Sequence, residues 1–296
     1  MSARGVYRAM IGFYILLFFA FLFGPLIVMG ITAFNTPTYP QVYPFERFTL
    51  EWFALLIGDQ NLMTGMRNSL IIGLMVVSLS VPLGLAGAIV MTQIHARARS
   101  LYYLVVVSPV LTPGVILGIS TVIFWSDVVD WTGTREQLFQ GFFLATLGQS
   151  TFISAYCMLI FMSRLQRFDP AQEEAALDLG ATRTQVFFHV LLPFLKPAIL
   201  SAAVLAFLSS FENYNTTTFA ILADKTLTTV LAGRVRQGTT PAISALAVLI
   251  IAVTLAGAVV YEVLRRREQA RDDQRARAAA QAERADIAPL AGISHA

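Results

Sequence analysis

The sequence predicts an all-α membrane protein with six transmembrane helices, and the first reason is its composition. Of its 296 residues, 56% are hydrophobic and only 13% are charged, whereas a soluble domain carries roughly 25% charged residues. The second reason is that apolar stretches long enough to cross a bilayer as a helix, which takes about 20 residues, recur along the chain. These predicted spans are residues 10–34, 70–91, 101–125, 142–162, 197–222 and 243–264.

The distribution of positive charge predicts the orientation of the spans, because cytoplasmic connections are enriched in Lys and Arg. If the N-terminus is cytoplasmic, 15 of the 21 Lys and Arg residues lie inside and 6 lie outside. Residues 1–9, the hydrophilic stretch 163–196 and the charged tail 265–296 are then all cytoplasmic. The membrane domain comprises residues 10–264, and we expect the distal part of the tail to be disordered.

Two features interrupt this simple pattern. The third span contains Pro109, Pro113, Gly114 and Gly118, which indicate either a kink at a helix-packing contact or the lining of a cavity. On the outer side, Thr49 precedes a short amphipathic stretch at residues 50–57, and we expect this stretch to form a helix at the membrane surface.

Residues 169–193 form the one long stretch in the middle of the chain that is suited to water. Asp169 is placed to cap a helix whose first position is Pro170. Gly180 then ends that helix in a left-handed turn. Thr182, with Gln three residues later, marks the start of a second helix that runs toward the end of the stretch.

A spaced motif lies within this stretch. It reads Glu-Ala-Ala, three residues, Gly, nine residues and Val-x-Leu-Pro, and it resembles the Glu-Ala-Ala loop of type I ABC-importer permeases, where Ile usually stands in place of Val190. The bland alternative is a solvated amphipathic loop between two spans. The resemblance implies that a cytoplasmic ATPase docks on this loop through Glu174, Ala175, Ala176, Asp178, Gly180, Leu192 and Pro193.

The sequence carries no catalytic signature of its own. Neither of its two lysines follows a glycine, so a Gly-Lys-[Ser/Thr] phosphate-binding loop is absent. The three histidines are widely separated and Cys157 is the one cysteine, so no metal site, cofactor or disulfide is predicted. The small net charge of +3 does not suggest nucleic-acid binding. If ATP drives transport, another chain must hydrolyse it.

Glu212 is the main candidate for a solute contact. It lies in the outer part of the predicted fifth span, where an ionisable group is costly and usually faces a cavity or a partner. With Asn213, Tyr214 and Asn215 beside it, the carboxylate is suited to hold an amine. The alternative is that Glu212 lies at the outer rim and pairs with an arginine such as Arg234 or Arg236.

Gln149 and Ser150 are further candidates, because they occupy the outer half of the fourth predicted span. Both are placed to line an outward-facing vestibule. The alternative for each is a hydrogen bond between helices, which is a common role for polar residues in membrane proteins.

Several segments outside the loop resemble the spermidine/putrescine-type permeases of the ABC-importer family. They are residues 48–52, 68–70, 108–118, 163–165, 178–181 and 241–247, and the resemblance extends over residues 47–264. Those permeases tend to carry paired aspartates where this chain has Glu212 and Asn213, so one carboxylate is replaced by an amide. This departure leaves open a monocationic, zwitterionic or amide-bearing solute.

The resemblance implies a set of partners and a location. The partners are a dimer of cytoplasmic ABC ATPases, a second and distinct permease subunit and a periplasmic solute-binding protein. The location is the bacterial inner membrane, where a multi-pass protein is surrounded by lipid. The expected function is the permease half of an importer for a polyamine or a related cation, without catalysis of its own. Two alternatives are an importer of another small organic solute, such as an amino-acid derivative, and an ion-coupled secondary carrier that acts alone.

Overall fold

The computed structural model describes residues 3–257 together with Val259 and Val263, and the regular secondary structure of this part is helical apart from one isolated bridge between Asn35 and Phe48. The helices in chain order are α1 Ala3–Ala33, α2 Glu51–Gly58, α3 Gln60–Gln93, α4 Ala96–Leu111, α5 Gly114–Thr132, α6 Arg135–Leu138, α7 Gly141–Leu165, α8 Ala171–Asp178, α9 Arg183–Val186, α10 Leu192–Phe211, α11 Thr217–Ala220, α12 Leu227–Gln237 and α13 Pro241–Gly257. The predicted tail, residues 265–296, lies outside the described residues.

Within the described residues, five helices are long and apolar enough to cross a membrane. They are Met10–Ala33, Gln60–Gln93, Gly114–Thr132, Gly141–Leu165 and Arg183–Phe211. The all-helical class and five apolar spans are therefore confirmed. The predicted sixth span corresponds to α13, which is shorter in the described part of the chain.

The chain divides into two compact units, of which the central one is Ile57–Gly238. Its core lies where α3, α7 and α10 pack together. Small residues allow this close approach, as is usual for helices in a membrane. Gly84 of α3 faces the backbone of α7, and Ala202 and Ala206 of α10 are completely buried.

The predicted third span is not one helix. The chain breaks at Thr112 and Pro113, between α4 and α5, because a proline lacks the N–H that would continue the hydrogen-bond ladder. A Cβ atom on Gly118 would lie 2.5 Å from the carbonyl oxygen of Thr216. The glycine therefore serves a close packing contact, which was one of the two alternatives for this segment.

The predicted fifth span is wrong at both ends. Its helix begins at Arg183, within the hydrophilic loop, and ends at Phe211 rather than at residue 222. Between α9 and α10 the helix widens into one π-helical turn, Phe187–Leu191, where the N–H of Leu192 donates to the carbonyl of Phe187. Pro193 explains the widening, since it has no N–H to donate and its ring crowds the carbonyl four residues earlier.

The second unit comprises the residues on either side of the central one. In it, the hydroxyl of Thr32 at the end of α1 donates to the hydroxyl of Ser244 in α13 at 2.9 Å. The connection after α1 is ordered around the side chain of Asn35, whose Oδ1 accepts from the backbone N–H groups of Thr36 and Glu46, both at 3.0 Å. The short helix predicted at residues 50–57 is confirmed as α2, and its position at the membrane surface stays a prediction.

Candidate functional site

The cytoplasmic loop of the sequence prediction is a pair of short helices joined by a sharp turn. The carboxylate of Asp169 accepts the N–H of Ala171 at 3.0 Å, at the start of α8. The N–H of Gly180 donates to the carbonyl of Leu177 and the N–H of Ala181 to that of Ala176, which is the Schellman arrangement for ending a helix. Gly180 has φ of +86°, so the predicted left-handed turn is confirmed.

The second helix of the loop begins with the predicted capping box. Thr182 and Gln185 each accept, through the side chain, the backbone N–H of the other. A groove of about 490 Å³ lies between the two helices. Its lining is Ala176, Leu179, Gly180, Ala181, Gln185, Val186, His189 and Val190. Leu179, which lines this groove, is 89% exposed.

The loop residues with a predicted role in ATPase docking fall into two groups. The exposed ones are Glu174, Ala175, Asp178, Gly180 and Pro193, whereas Ala176 and Leu192 are half-buried. The two half-buried residues thus help to hold the loop together, and the exposed ones are free to meet another chain.

An arginine joins the two ends of the loop at its base. The guanidinium carbon of Arg164, near the end of α7, lies 4.2 Å from the centre of the Phe194 ring in α10, and Nε of the same arginine donates to the Phe194 carbonyl at 3.3 Å. Phe168 meets the same ring edge to face, with 5.1 Å between the ring centres. The loop is therefore anchored to both spans from which it emerges.

Glu212 lies immediately after α10 and is exposed. It borders a cavity of about 400 Å³. The other lining residues are Phe152, Tyr156, Leu205, Ser209, Asn213, Tyr214 and Asn215. The cavity therefore brings together all four members of the predicted group 212–215, and we call it the Glu212 pocket.

The arginines considered as partners of Glu212 have other contacts. Arg234 forms an ion pair with Asp59, and Arg236 donates to the hydroxyl of Tyr214 at 3.0 Å. Among the described residues Glu212 forms no ion pair, so its carboxylate remains available within the pocket.

Four residues of the pocket wall, among them Leu205 of α10, escaped the sequence prediction. Phe152 and Tyr156 lie one turn apart on α7, with 6.1 Å between their ring centres, and Ser209 lies on α10. The i, i+4 spacing of the two aromatic residues was a possible signal, because it places them on one helix face. Without knowing which face of α7 meets α10, that spacing could not be assigned to a pocket.

Gln149 and Ser150 are not in the wall of the Glu212 pocket, where the sequence analysis expected them to line a vestibule. Gln149 is buried and hydrogen-bonds Ser210 and Thr217, on the two segments that flank residues 212–215. The hydroxyl of Ser150 is also buried and finds no hydrogen-bond partner among the described residues. Asn213 belongs to the same network, since its Oδ1 accepts from the N–H groups of Thr216 and Thr217.

A second cavity, of about 570 Å³, lies next to the first residues of α3. Arg234 of α12 contributes to its wall and pairs there with Asp59, which also accepts the N–H of Leu62. Burial raises the pKa of the Asp59 carboxyl, but the hydrogen bonds and positive charge of Arg234, together with the backbone donors, outweigh burial and hold that pKa below its ordinary value. The pair therefore stays ionised at neutral pH and links α12 to α3.

A helical membrane bundle with a structured hydrophilic loop and a pocket at the end of one span defines a transport protein. Residues 80–269 match the family described as the binding-protein-dependent transport system inner membrane component. The chain belongs to this family, and it is an inner-membrane permease subunit of an ABC importer.

Two curated relatives and one solved structure are similar over most of the chain. The putrescine transport system permease protein PotI of Escherichia coli is 32% identical over 271 residues, covering 89% of this chain and 94% of the relative. The spermidine/putrescine transport system permease protein PotC of the same organism is 22% identical over 260 residues, covering 88% and 95%. A bacterial ABC transporter that imports the acidic polysaccharide alginate has the same fold, with a TM-score of 0.64, 20% identity and coverage of 86% of this chain and 93% of that chain.

Proposed function

We propose that this chain forms half of the translocation pathway of an importer for a polyamine or a related small cation. Its six spans, with both termini in the cytoplasm, would pair with those of a second permease subunit. A dimer of ABC ATPases would dock on residues 174–180, and a periplasmic binding protein would deliver the solute. This chain would then have no catalytic role, and all ATP hydrolysis would belong to the ATPases.

The Glu212 pocket is the observation that supports a cationic solute. Its one carboxylate is exposed and unpaired among the described residues, and the rings of Phe152 and Tyr156 lie in the same wall. A carboxylate attracts an ammonium group, and aromatic faces add cation–π attraction. The names of the relatives, which are permeases for putrescine and spermidine, point to the same class of solute.

The substitution of an amide for a second carboxylate is compatible with this solute. Oδ1 of Asn213 accepts three hydrogen bonds, from the N–H of Thr216 and from the N–H and hydroxyl of Thr217. An aspartate would accept the same bonds. The amide therefore preserves the turn but removes one negative charge, which favours one ammonium group in the pocket at a time.

The test is ATP hydrolysis by the reconstituted importer with its binding protein, measured across a panel of amines, amino acids and sugars. Stimulation by putrescine or spermidine is expected. Stimulation by an amino acid or a sugar alone would instead support the second candidate, an importer of another small organic solute.

The role of the pocket is tested separately with Glu212→Gln. This change keeps the shape and removes the charge, so we expect the KM for uptake of a diamine to rise about tenfold, as for the loss of one charge-assisted hydrogen bond. Glu136→Gln is the matched control, because Glu136 is an exposed carboxylate of α6 that is not in the wall of the pocket. An unchanged KM in Glu212→Gln would remove this pocket from the transport path.

A further inference from the structure

A single buried amide connects the pocket wall to the turn that carries Glu212. Gln149 of α7 is 1% exposed. Its Oε1 accepts a hydrogen bond from the hydroxyl of Ser210 at 2.5 Å, and its Nε2 donates to the hydroxyl of Thr217 at 2.7 Å. Both ends of one side chain are thus occupied by two different segments of the chain.

The two partners of Gln149 lie on either side of the turn that carries Glu212. Ser210 is the second-last residue of α10 and Thr217 is the first residue of α11, so residues 211–216 form a short bridge between two points fixed by the same amide. Inside that bridge, Asn213 accepts the N–H and the hydroxyl of Thr217. The carbonyl of Asn213 accepts the hydroxyl of Thr228, at 2.9 Å. The turn is therefore tied at its start, its middle and its end.

Gln149 lies on α7, the helix that also carries the two aromatic residues of the pocket wall. Phe152 and Tyr156 follow it by three and seven residues, which places all three near one helix face. The helix that carries the two rings therefore also holds, through Gln149, the segment that carries the carboxylate. Gln149 therefore helps to set the distance between the rings and Glu212.

We propose that Gln149 is the positioning residue of the Glu212 pocket and so determines which ammonium geometry the pocket accepts. This proposal rests on the proposed function of that pocket. An amide buried among apolar helices is costly to leave unpaired. The arrangement in which Ser210 and Thr217 both bind Gln149 is consequently favoured over any in which the turn shifts away from α7.

The first test compares substitutions that keep volume and remove only hydrogen bonds. Gln149→Met and Thr217→Val each remove part of the network. Thr146→Val is the control, because its hydroxyl donates to the carbonyl of Phe142 and lies 3.9 Å from Sδ of Met75, and neither contact belongs to the network of Gln149. Uptake of a radiolabelled diamine by the complete importer is measured with saturating binding protein. We expect KM to rise at least about fivefold in the first two variants, because each loses two hydrogen bonds, with Vmax within about twofold and the control unchanged.

The second test asks whether Gln149 acts through Glu212. In a Glu212→Gln background, Gln149→Met is expected to raise KM no further, because the charge that it positions is already absent. Additive effects of the two substitutions would overturn the proposal and leave Gln149 as a packing residue. If Glu212→Gln alone leaves KM unchanged, the proposed function of the pocket fails, and the labelling experiment below then decides the positioning role.

The third test does not depend on the solute. Asn215 is exposed in the pocket wall, whereas the native Cys157 is buried, so Asn215→Cys is made in a Cys157→Ala chain and labelled with a maleimide in membranes. Gln149→Met is expected to change the labelling rate at least about threefold, because the turn loses both anchors, while Thr146→Val does not. An unchanged rate together with an unchanged KM would overturn the positioning role whatever the importer carries.

Discussion

The guanidinium of Arg164 is stacked on the ring of Phe194, 4.2 Å from its centre, and also donates to the carbonyl of the same residue. This contact joins the end of α7 to the start of α10, on either side of the loop where we propose that the ATPase docks. In the assembled importer, we expect Arg164→Met to keep the packing of the side chain and lose both polar contacts, which are worth about 1–2 kcal/mol together. The loop would then move without carrying the spans with it.

The expected result for Arg164→Met is uncoupling. Basal ATP hydrolysis should remain, while solute uptake per ATP hydrolysed falls several-fold in proteoliposomes. Arg167→Met is the control, because Arg167 is exposed and lies three residues after Arg164, beyond the end of α7. An equal ratio of uptake to hydrolysis in both variants would show that the contact does not transmit movement.

Substitutions of Gly180 distinguish two roles of this residue, its backbone conformation and its contact with another chain. Its φ is +86°, and a Cβ atom there would meet no described atom within 4 Å. Asn tolerates the left-handed region, whereas a β-branched residue is strained there by roughly 1–2 kcal/mol. We therefore expect Gly180→Asn to retain most of the uptake and Gly180→Val to lose most of it, measured at equal membrane abundance.

The Gly180 variants could instead lose uptake equally, and this result has a different meaning. Equal loss in the Asn and Val variants would mean that the ATPase needs the bare surface of the glycine rather than its conformation. Pull-down of the ATPase by each variant in detergent distinguishes a weakened complex from a misfolded loop.

The helix contact between α3 and α7 depends on one of two nearby glycines. A Cβ atom on Gly84 would lie 2.8 Å from the N of Met158 and 2.8 Å from the carbonyl oxygen of Ser154, both of which are backbone atoms. At Gly87 the nearest atom is the flexible Sδ of Met158, at 3.3 Å. Gly84→Ala should therefore destabilise the protein by about 1–3 kcal/mol through overpacking, whereas Gly87→Ala should change stability little.

Thermal unfolding in detergent measures this difference, with Tm as the readout. A large decrease is expected for Gly84→Ala alone. If Gly87→Ala lowers Tm as much, close packing at Gly84 is not what holds the two helices together.

The fold could be predicted from sequence wherever one physical signal was enough. Hydropathy located the cores of five spans, and side-chain chemistry located the capping box at Thr182 and the left-handed turn at Gly180. The predicted end of the fifth span at residue 222 was wrong, because the short apolar stretch 219–222 was joined to the span across the polar residues 212–218. The helix ends at Phe211 because Asn213 binds the backbone of Thr216 and Thr217, a contact that hydropathy does not detect.

The candidate site was predictable in its residue types but not in its geometry. Glu212 and its three neighbours formed a recognisable polar group, and the structure places them in one pocket wall. The division between Gln149, which anchors the turn, and Phe152, which lines the cavity, depends on the rotation of α7. Helix rotation is set by packing against other spans, so a single sequence contains little information about it.

The ion pair between Asp59 and Arg234 gives a pH-dependent test of how α12 is held. The pKa of Asp59 is below its ordinary value in the folded protein, so its stabilising effect is complete above the unfolded value of about 3.9 and is lost as the pH falls through the folded value. Asp59→Asn keeps the cap on the N–H of Leu62 and removes only the charge. We expect it to cost about 1–2 kcal/mol at pH 5–8, and the Tm difference from the unsubstituted protein should begin to narrow below about pH 4.

Asp130→Asn is the control for Asp59→Asn. Asp130 also pairs with an arginine, Arg135, but the two side chains are 56% and 53% exposed, and exposed ion pairs contribute little to stability. Its Tm should match that of the unsubstituted protein across the same pH range. A Tm difference for Asp59→Asn that stays constant down to pH 3 would instead assign its effect to lost packing, because a charge interaction has to disappear once the carboxylate is protonated.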